Sequence, residues 1–263
     1  MRTNLYHASK LNIEFLSGCY VHLNSKWKYP LHRWASTRLY YMYKGEAFLY
    51  QDGKEIPMLP GHLYLIPPNL EISYRCPEYM EKLFFHVSVT NLDNFDILSN
   101  LTKICILPCS GKLLDDLKAL HNSENIYDLL QFKMLVMKTI LDCLEAENLP
   151  PLHTKTFSPE ILQAINYIQN NVTVQLTAEQ IAGELFISRH RLQKHFKAET
   201  GLTVGEYMDR QLVYRATQLM VNSHLSLGEI STQLGFCDQF YFSRRFKELT
   251  GQTPSGFRRN IGQ

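Results

Sequence analysis

Two short stretches of this chain gather groups suited to gripping a polyanion. Ser188–Lys197 (SRHRLQKHFK) carries Arg189, Arg191, Lys194 and Lys197, two histidines and no acid. Arg244–Lys247 (RRFK) and Arg258–Arg259 are further clumps. The excess is local, because the formal net charge of the whole chain is only +2. Residues 1–156 hold 16 Lys+Arg against 16 Asp+Glu, and residues 157–263 hold 11 against 9. Clusters of this kind suit a phosphate backbone better than evenly spread charge does.

The elements that must position these groups are helices, and they repeat. Leu176–Tyr207 (LTAEQIAGELFISRHRLQKHFKAETGLTVGEY) aligns with Leu225–Phe257 (LSLGEISTQLGFCDQFYFSRRFKELTGQTPSGF). Ile181 matches Ile230 and Leu185 matches Leu234; after one extra residue in the second turn, Phe196 matches Phe246, Lys197 Lys247 and Gly201 Gly251. Two copies make a duplicated supersecondary unit, not a solenoid. Each copy reads helix, short turn, helix, with motifs at about 176–197 and 225–247. Thr177 and Ser188 suit N-caps in the first copy, and Ser226 and Asp238 in the second. Leu192 with Phe196, and Phe242 with Phe246, form an apolar stripe on each second helix. The other face offers Arg189, His190, Arg191, Gln193 and Lys194, or Gln239, Tyr241, Arg244 and Arg245. Such a face suits the major groove. His190, Gln193 and Lys194, with Arg191 close by, are the expected base readers of the first copy. Gln239, Tyr241 and Arg244 are those of the second, and Arg189 and Arg245 should meet phosphates. Thr203–Val221 between the copies would span about 28 Å as a helix, against about 34 Å between successive major grooves on one DNA face.

The rest of the chain has another texture. Its 263 residues suggest two domains, and 45% hydrophobic with 20% charged residues is globular composition. No run of 18 apolar residues marks a membrane span, and Met1–Ser17 lacks a signal-peptide pattern, so a cytoplasmic location is expected. The six cysteines (19, 76, 105, 109, 143 and 237) form no C-x-x-C, which disfavours a zinc ribbon or a thioredoxin-like site. Strands are expected through Arg38–Pro68 and Lys82–Val89, with turns at Lys44-Gly45, Asp52-Gly53 and Pro60-Gly61. Many short strands between turns indicate a β-sandwich or small barrel. Helices follow at Lys112–His121 and Glu124–Glu147. The second is apolar on more than one face, so a second helix or a second subunit is expected to cover it. Asn148–Pro159, with Pro150-Pro151, reads as a linker. The expected layout is therefore α+β: residues 1–147 a barrel with helices that binds a ligand and dimerises, 148–157 a linker, and 158–263 an all-α double helix-turn-helix.

Ser158–Arg259 resembles the DNA-binding domain of the AraC/XylS family of bacterial transcription regulators. Gly235-Phe236, Tyr241-Phe242-Ser243-Arg244, Phe246-Lys247, Gly251, Thr253-Pro254-Ser255 and Arg258 match that family's C-terminal signature. Ile181-Ala182, Ser188, Leu192, Phe196-Lys197, Gly201, Tyr207 and Ala216 fit its first half; Leu212 departs from it, standing where many members carry Arg. The front half is similar to the cupin-like sensor domain of sugar-responsive members, through Lys44-Gly45-Glu46, Pro60–Asn69 (PGHLYLIPPN) and Phe84–Val87 (FFHV). The resemblance implies a sequence-specific regulator, an activator, that binds double-stranded DNA as a homodimer and works with RNA polymerase. Its small-molecule effector, a carbohydrate, would sit in the barrel.

Alternation in Lys82–Ser88 puts Lys82, Phe84 and His86 on one face, opposite an apolar face of Leu83, Phe85 and Val87. A ring against a sugar face with polar groups for hydroxyls is typical pocket chemistry. Phe84 and His86 are thus candidate ligand residues, with His32 and Arg33 as added donors. Lys44 is carried over from the resemblance, standing where the family's sugar-contacting basic residue stands. An enzymatic cupin would need an H-x-H pair and further ligands converging on one metal. His32-Arg33-Trp34 supplies one histidine, and His62 and His86 are isolated. No enzyme, metal or cofactor is expected. The rival readings are a sensor domain controlled by a protein partner and a cupin enzyme with a DNA-binding appendage.

Overall fold

The computed structural model describes residues 11–34, 36–68, 70–91, 96–146, 157–250 and 253–261. The chain divides into two compact units, one mainly Ile13–Ser88 with Leu98–Leu152, the other mainly His153–Asn260. The expected linker falls almost wholly at 148–156, outside the described residues.

The first unit is built of strands β1 (Asn12–Asn24), β2 (Lys28–His32), β3 (Thr37–Gly45), β4 (Ala47–Gln51), β5 (Lys54–Met58), β6 (His62–Ile66), β7 (Ile72–Arg75), β8 (Tyr79–Thr90) and β9 (Cys105–Pro108). They form two sheets, ordered β1-β8-β3-β6-β9 and β2-β7-β4-β5. Tyr40, Met42, Tyr64 and Ile66 of the first sheet share one core with Leu49, Ile72 and Tyr74 of the second. The sheets therefore close on each other as a small sandwich-like barrel. Asp52 and Gly53 both take positive φ (51° and 75°) and join Gln51 to its partner Lys54, the two-residue hairpin that Asp-Gly favours.

β3 is central and covered on both sides. Its inward residues Tyr40 and Met42 meet the second sheet. Its outward Tyr41 reaches Thr139 of a helix, hydroxyl to hydroxyl at 3.1 Å. That helix, α2 (Ile126–Ala146), follows α1 (Gly111–Leu120). Phe132 of α2 packs on Phe85 of β8 with ring centroids 5.0 Å apart. Phe132, Val136, Thr139, Ile140 and Cys143 are buried. Tyr127, Leu130, Met134 and Leu141 of the same helix remain exposed, the apolar excess that the sequence shows.

The second unit runs α3 (Pro159–Asn171), α4 (Ala178–Glu184), α5 (Arg189–Thr200), α6 (Val204–Asn222), α7 (Leu227–Gln233), α8 (Gln239–Thr250) and α9 (Pro254–Ile261). Ile161, Ile165, Ile168, Ile181, Leu192, Phe196 and Tyr207 form the core of its first half. Ile230, Leu234, Phe242, Phe246 and Phe257 are buried in the second half.

Gly45 ends β3 at φ +70°, and a Cβ there would lie 2.0 Å from the Tyr79 carbonyl oxygen. A side chain meets both left-handed strain and a backbone clash. Gly45→Ala is expected to lower stability by about 1–3 kcal/mol. Chemical denaturation followed through the barrel's tryptophans measures it, and a loss under about 0.5 kcal/mol would contradict this account.

Candidate functional site

The two helix-turn-helix copies are built alike, bond for bond. Thr177 and Ser226 each cap the first helix in a capping box, with Gln180 and Glu229 reaching back to the cap. Each first helix ends on one residue in the left-handed region, Phe186 (φ 54°) or Gly235 (φ 78°). The next amide then donates back over the turn, Ile187 to the Ala182 carbonyl and Phe236 to the Ser231 carbonyl, both at 3.0 Å. Ser188 accepts the Arg191 amide at 3.2 Å, and Asp238 accepts the Tyr241 amide at 2.7 Å, starting the second helices. Phe186 takes here the conformation that glycine adopts freely in the second copy.

Burial of Leu192 and Phe196, or of Phe242 and Phe246, sets the rotation of α5 and α8. His190, Gln193 and Lys194 then project into solvent. Arg189 and Arg191 are exposed but engaged: Arg189 pairs with Glu179 at 2.6 Å, and Arg191 grips Glu160 of α3 with two nitrogens, at 2.6 and 3.2 Å. In α8, Gln239 and Arg244 are exposed. Tyr241 turns aside, half-buried against Phe236 with ring centroids 5.4 Å apart. Arg245 is tied to Asp209 of α6 at 2.7 Å and to Glu248 at 3.4 Å. Arg258 donates to the Leu225 carbonyl at 2.8 Å, so this arginine of the third clump braces α9 within the fold.

Aligning the copies residue by residue puts Phe240 opposite His190, Ser243 opposite Gln193 and Arg244 opposite Lys194. Phe240 is 87% exposed, an unusual place for a phenylalanine. A reading of that face by polar residue type alone passes over it. The frame set by Phe196 and Phe246 already pointed to it.

In the barrel, β8 presents Phe84 and His86 inward with Lys82, while Phe85 faces α2. Phe84 and His86 adjoin, ring centroids 5.3 Å apart. Burial, then the charges of Arg38 and Lys82, push the His86 pKa well below its ordinary value, so the ring is neutral. Arg33 and Lys44 are not brought to these residues. Arg33 is exposed and pairs with Glu71 at 3.6 Å; Lys44 is exposed and pairs with Glu81 at 3.3 Å. The backbone of His32 pairs with Ile72. Sequence reasoning did not single out Arg38, which lies fully buried directly across from His86. Among the described residues, no group of three His, Cys, Asp or Glu side chains could hold a metal ion. No described helix is long and apolar enough to cross a membrane.

Residues 181–260 match a family model described as a helix-turn-helix domain. Among curated relatives, the Msm operon regulatory protein of Streptococcus mutans is 25% identical over 233 residues, 85% of this chain and 84% of that protein. The xylose operon regulatory protein of Escherichia coli is 32% identical over 100 residues, 38% of this chain and 26% of that protein. Among solved structures, ToxT from Vibrio cholerae superposes with a TM-score of 0.62 at 14% identity, covering 97% of this chain and 100% of that one. That likeness concerns the fold.

The Lys44–Glu81 pair belongs to a separate cluster. The Tyr20 and Tyr79 hydroxyls both donate to the Glu81 carboxylate, and His22 lies 3.7 Å away. These bonds, with Lys44, lower the Glu81 pKa to about 2. A carboxyl depressed in the folded state adds stability above its unfolded value of about 4.3 and loses it as protons return. The melting temperature should therefore fall between about pH 5 and pH 2, and Glu81→Gln should flatten that part of the curve. An unchanged slope in the variant would remove Glu81 from this role.

Proposed function

Because this chain belongs to the AraC/XylS family of DNA-binding transcription regulators, we propose that α5 and α8 are its two recognition helices and that residues 1–147 carry the regulatory site. The observation that carries the reading is the duplication: two capped helix-turn-helix units whose second helices bury equivalent residues and leave His190 and Phe240, and Lys194 and Arg244, exposed at equivalent positions. His190, Gln193 and Lys194 read base edges from α5. Gln239, Phe240, Ser243 and Arg244 face the groove from α8, where the Phe240 ring suits a thymine methyl group. Arg189 sits at the rim and meets phosphate. Arg191, Arg245 and Tyr241 lie close to the DNA face; like Arg189, which pairs with Glu179, the two arginines are oriented by acids, Glu160 and Asp209, and Tyr241 packs on Phe236. α6, at 19 residues, spans about 28 Å and spaces the copies for successive grooves.

The regulator is an activator in the cytoplasm, with RNA polymerase as its partner at the promoter. Its layout is 1–147 sensor, 148–157 linker and 158–263 DNA-binding. The relative named for the xylose operon supports a carbohydrate-type effector, and Phe84 and His86 would line its site. Tyr127, Leu130, Met134 and Leu141 form the exposed apolar face of α2. A second copy of the chain covers that face, making a homodimer.

Binding-site selection from random duplex DNA provides the test. Lys194→Ala should lose about 1–3 kcal/mol and relax preference at one base pair. Arg189→Ala should weaken all sequences alike and lower the salt slope by about one unit. Phe240→Ala should relax preference at a thymine in the second half of the site. Retention of every wild-type base preference by Lys194→Ala would reject the reading. For the dimer, Met134→Arg or Leu141→Arg should give monomers in sedimentation with helical content unchanged. A monomeric wild type at micromolar concentration would reject it.

A further inference from the structure

Two basic side chains face the interior of the barrel, and among the described residues neither is paired with an acid. Arg38 on β3 is fully buried; it lies close enough to the Tyr40 hydroxyl to oppose the rise that burial gives the Tyr40 pKa, but among the described residues none of its three guanidinium nitrogens completes a hydrogen bond. Lys82 on β8 is 2% exposed. Its ammonium lies 3.5 Å from the Tyr40 ring centroid and 4.1 Å from that of Trp27. Strand register sets them on one face: Arg38 is opposite His86, Tyr40 opposite Phe84, and Met42 opposite Lys82. The Arg38 guanidinium lies 5.6 Å from the Trp34 ring centroid, and Trp34 adjoins His86 at 5.0 Å. Tyr29 and Tyr74 complete an aromatic wall from the second sheet.

Buried charges in proteins are paired, because an unpaired one loses its hydration and gains nothing in return. Lysine can escape by shedding its proton, and burial followed by the Arg38 charge does lower the Lys82 pKa far below its usual value. Arginine cannot. Ring faces offset part of the cost, but they leave the guanidinium N–H groups unmet. The orphaned Nδ1 of His86 adds a neutral polar atom on the same face.

We infer that the effector is a small organic anion whose phosphate or carboxylate group is received by Arg38 and Lys82, while its body lies against Trp27, Tyr40 and Phe84 and meets His86 with a hydroxyl. The inference rests on the barrel being the regulatory site and deepens that reading from a carbohydrate to an acidic one: a sugar phosphate or a sugar acid. A guanidinium fork fits either anion with two parallel bonds, and the anion restores charge to Lys82 by drawing its proton back.

The test is thermal melting of the full chain with millimolar glucose, glucose 6-phosphate, glucuronate, and the matching pentose and pentose phosphate. The phosphates or the acid should raise the melting temperature by several degrees, and the neutral sugars should not. The phosphate and uronate arms separate the two anion types. Arg38→Met and Lys82→Met should each abolish the shift. Without ligand, each should melt no lower than wild type, since an apolar side chain of similar length replaces an unpaired buried charge at Arg38 and a buried amine at Lys82. If one variant fails to fold, the other reads the same quantity. Equal shifts with neutral and anionic sugars would overturn the anion while leaving a small-molecule sensor in place. No shift with any compound would overturn both. Variants that melt well below wild type yet keep the ligand shift would show that the cations are structural.

Discussion

A helix that reads DNA must keep one face bare while the opposite face is held firmly, and that division governs the C-terminal unit. Leu192 and Phe196 hold α5 by their burial, as Phe242 and Phe246 hold α8. With 3.6 residues per turn, sinking two positions four residues apart decides which others can reach a groove. The ion pairs add a second restraint. Glu160 on α3 holds Arg191, and Asp209 on α6 holds Arg245. At these partly exposed positions their worth lies in orientation more than in stability.

The C-terminal unit was legible because its signals are local. Cap, turn and apolar stripe recur at fixed offsets, and the structure returns them with matching hydrogen bonds. The side chains beside the reading face were less so. Arg191, Tyr241 and Arg245 look like contact residues by type and spacing, and the packing of α3, α6 and Phe236 adds partners that type and spacing do not show. Phe240 is an exposed apolar residue at the position where residue type alone points to polar ones.

The barrel was legible in its turns and less so in its lining. Alternation in β8 sorted Lys82, Phe84 and His86 from Leu83, Phe85 and Val87, and the structure keeps that division. The same rule fails for β3, where Thr37 through Met42 are all buried. A central strand covered by a sheet on one side and by α2 on the other has no wet face. Arg38 therefore reads as a surface charge in sequence and lies at 0% exposure in the fold. The bulge between Met42 and Lys44 breaks the strand's register and leaves Lys44 with Glu81, away from that interior.

The duplication also gives the molecule a direction. Copies related by tandem repetition along one chain, not by a two-fold axis, meet DNA in an order that cannot be reversed. They are also chemically unequal: one offers an imidazole, an amide and an ammonium, the other a phenyl ring, a hydroxyl and a guanidinium. The extra residue in the second turn separates them further. A single protomer thus has a head and a tail when it lies on a duplex. Its site is an arrow, not a palindrome, and turning the site end for end without changing its composition presents a different surface to whatever binds alongside.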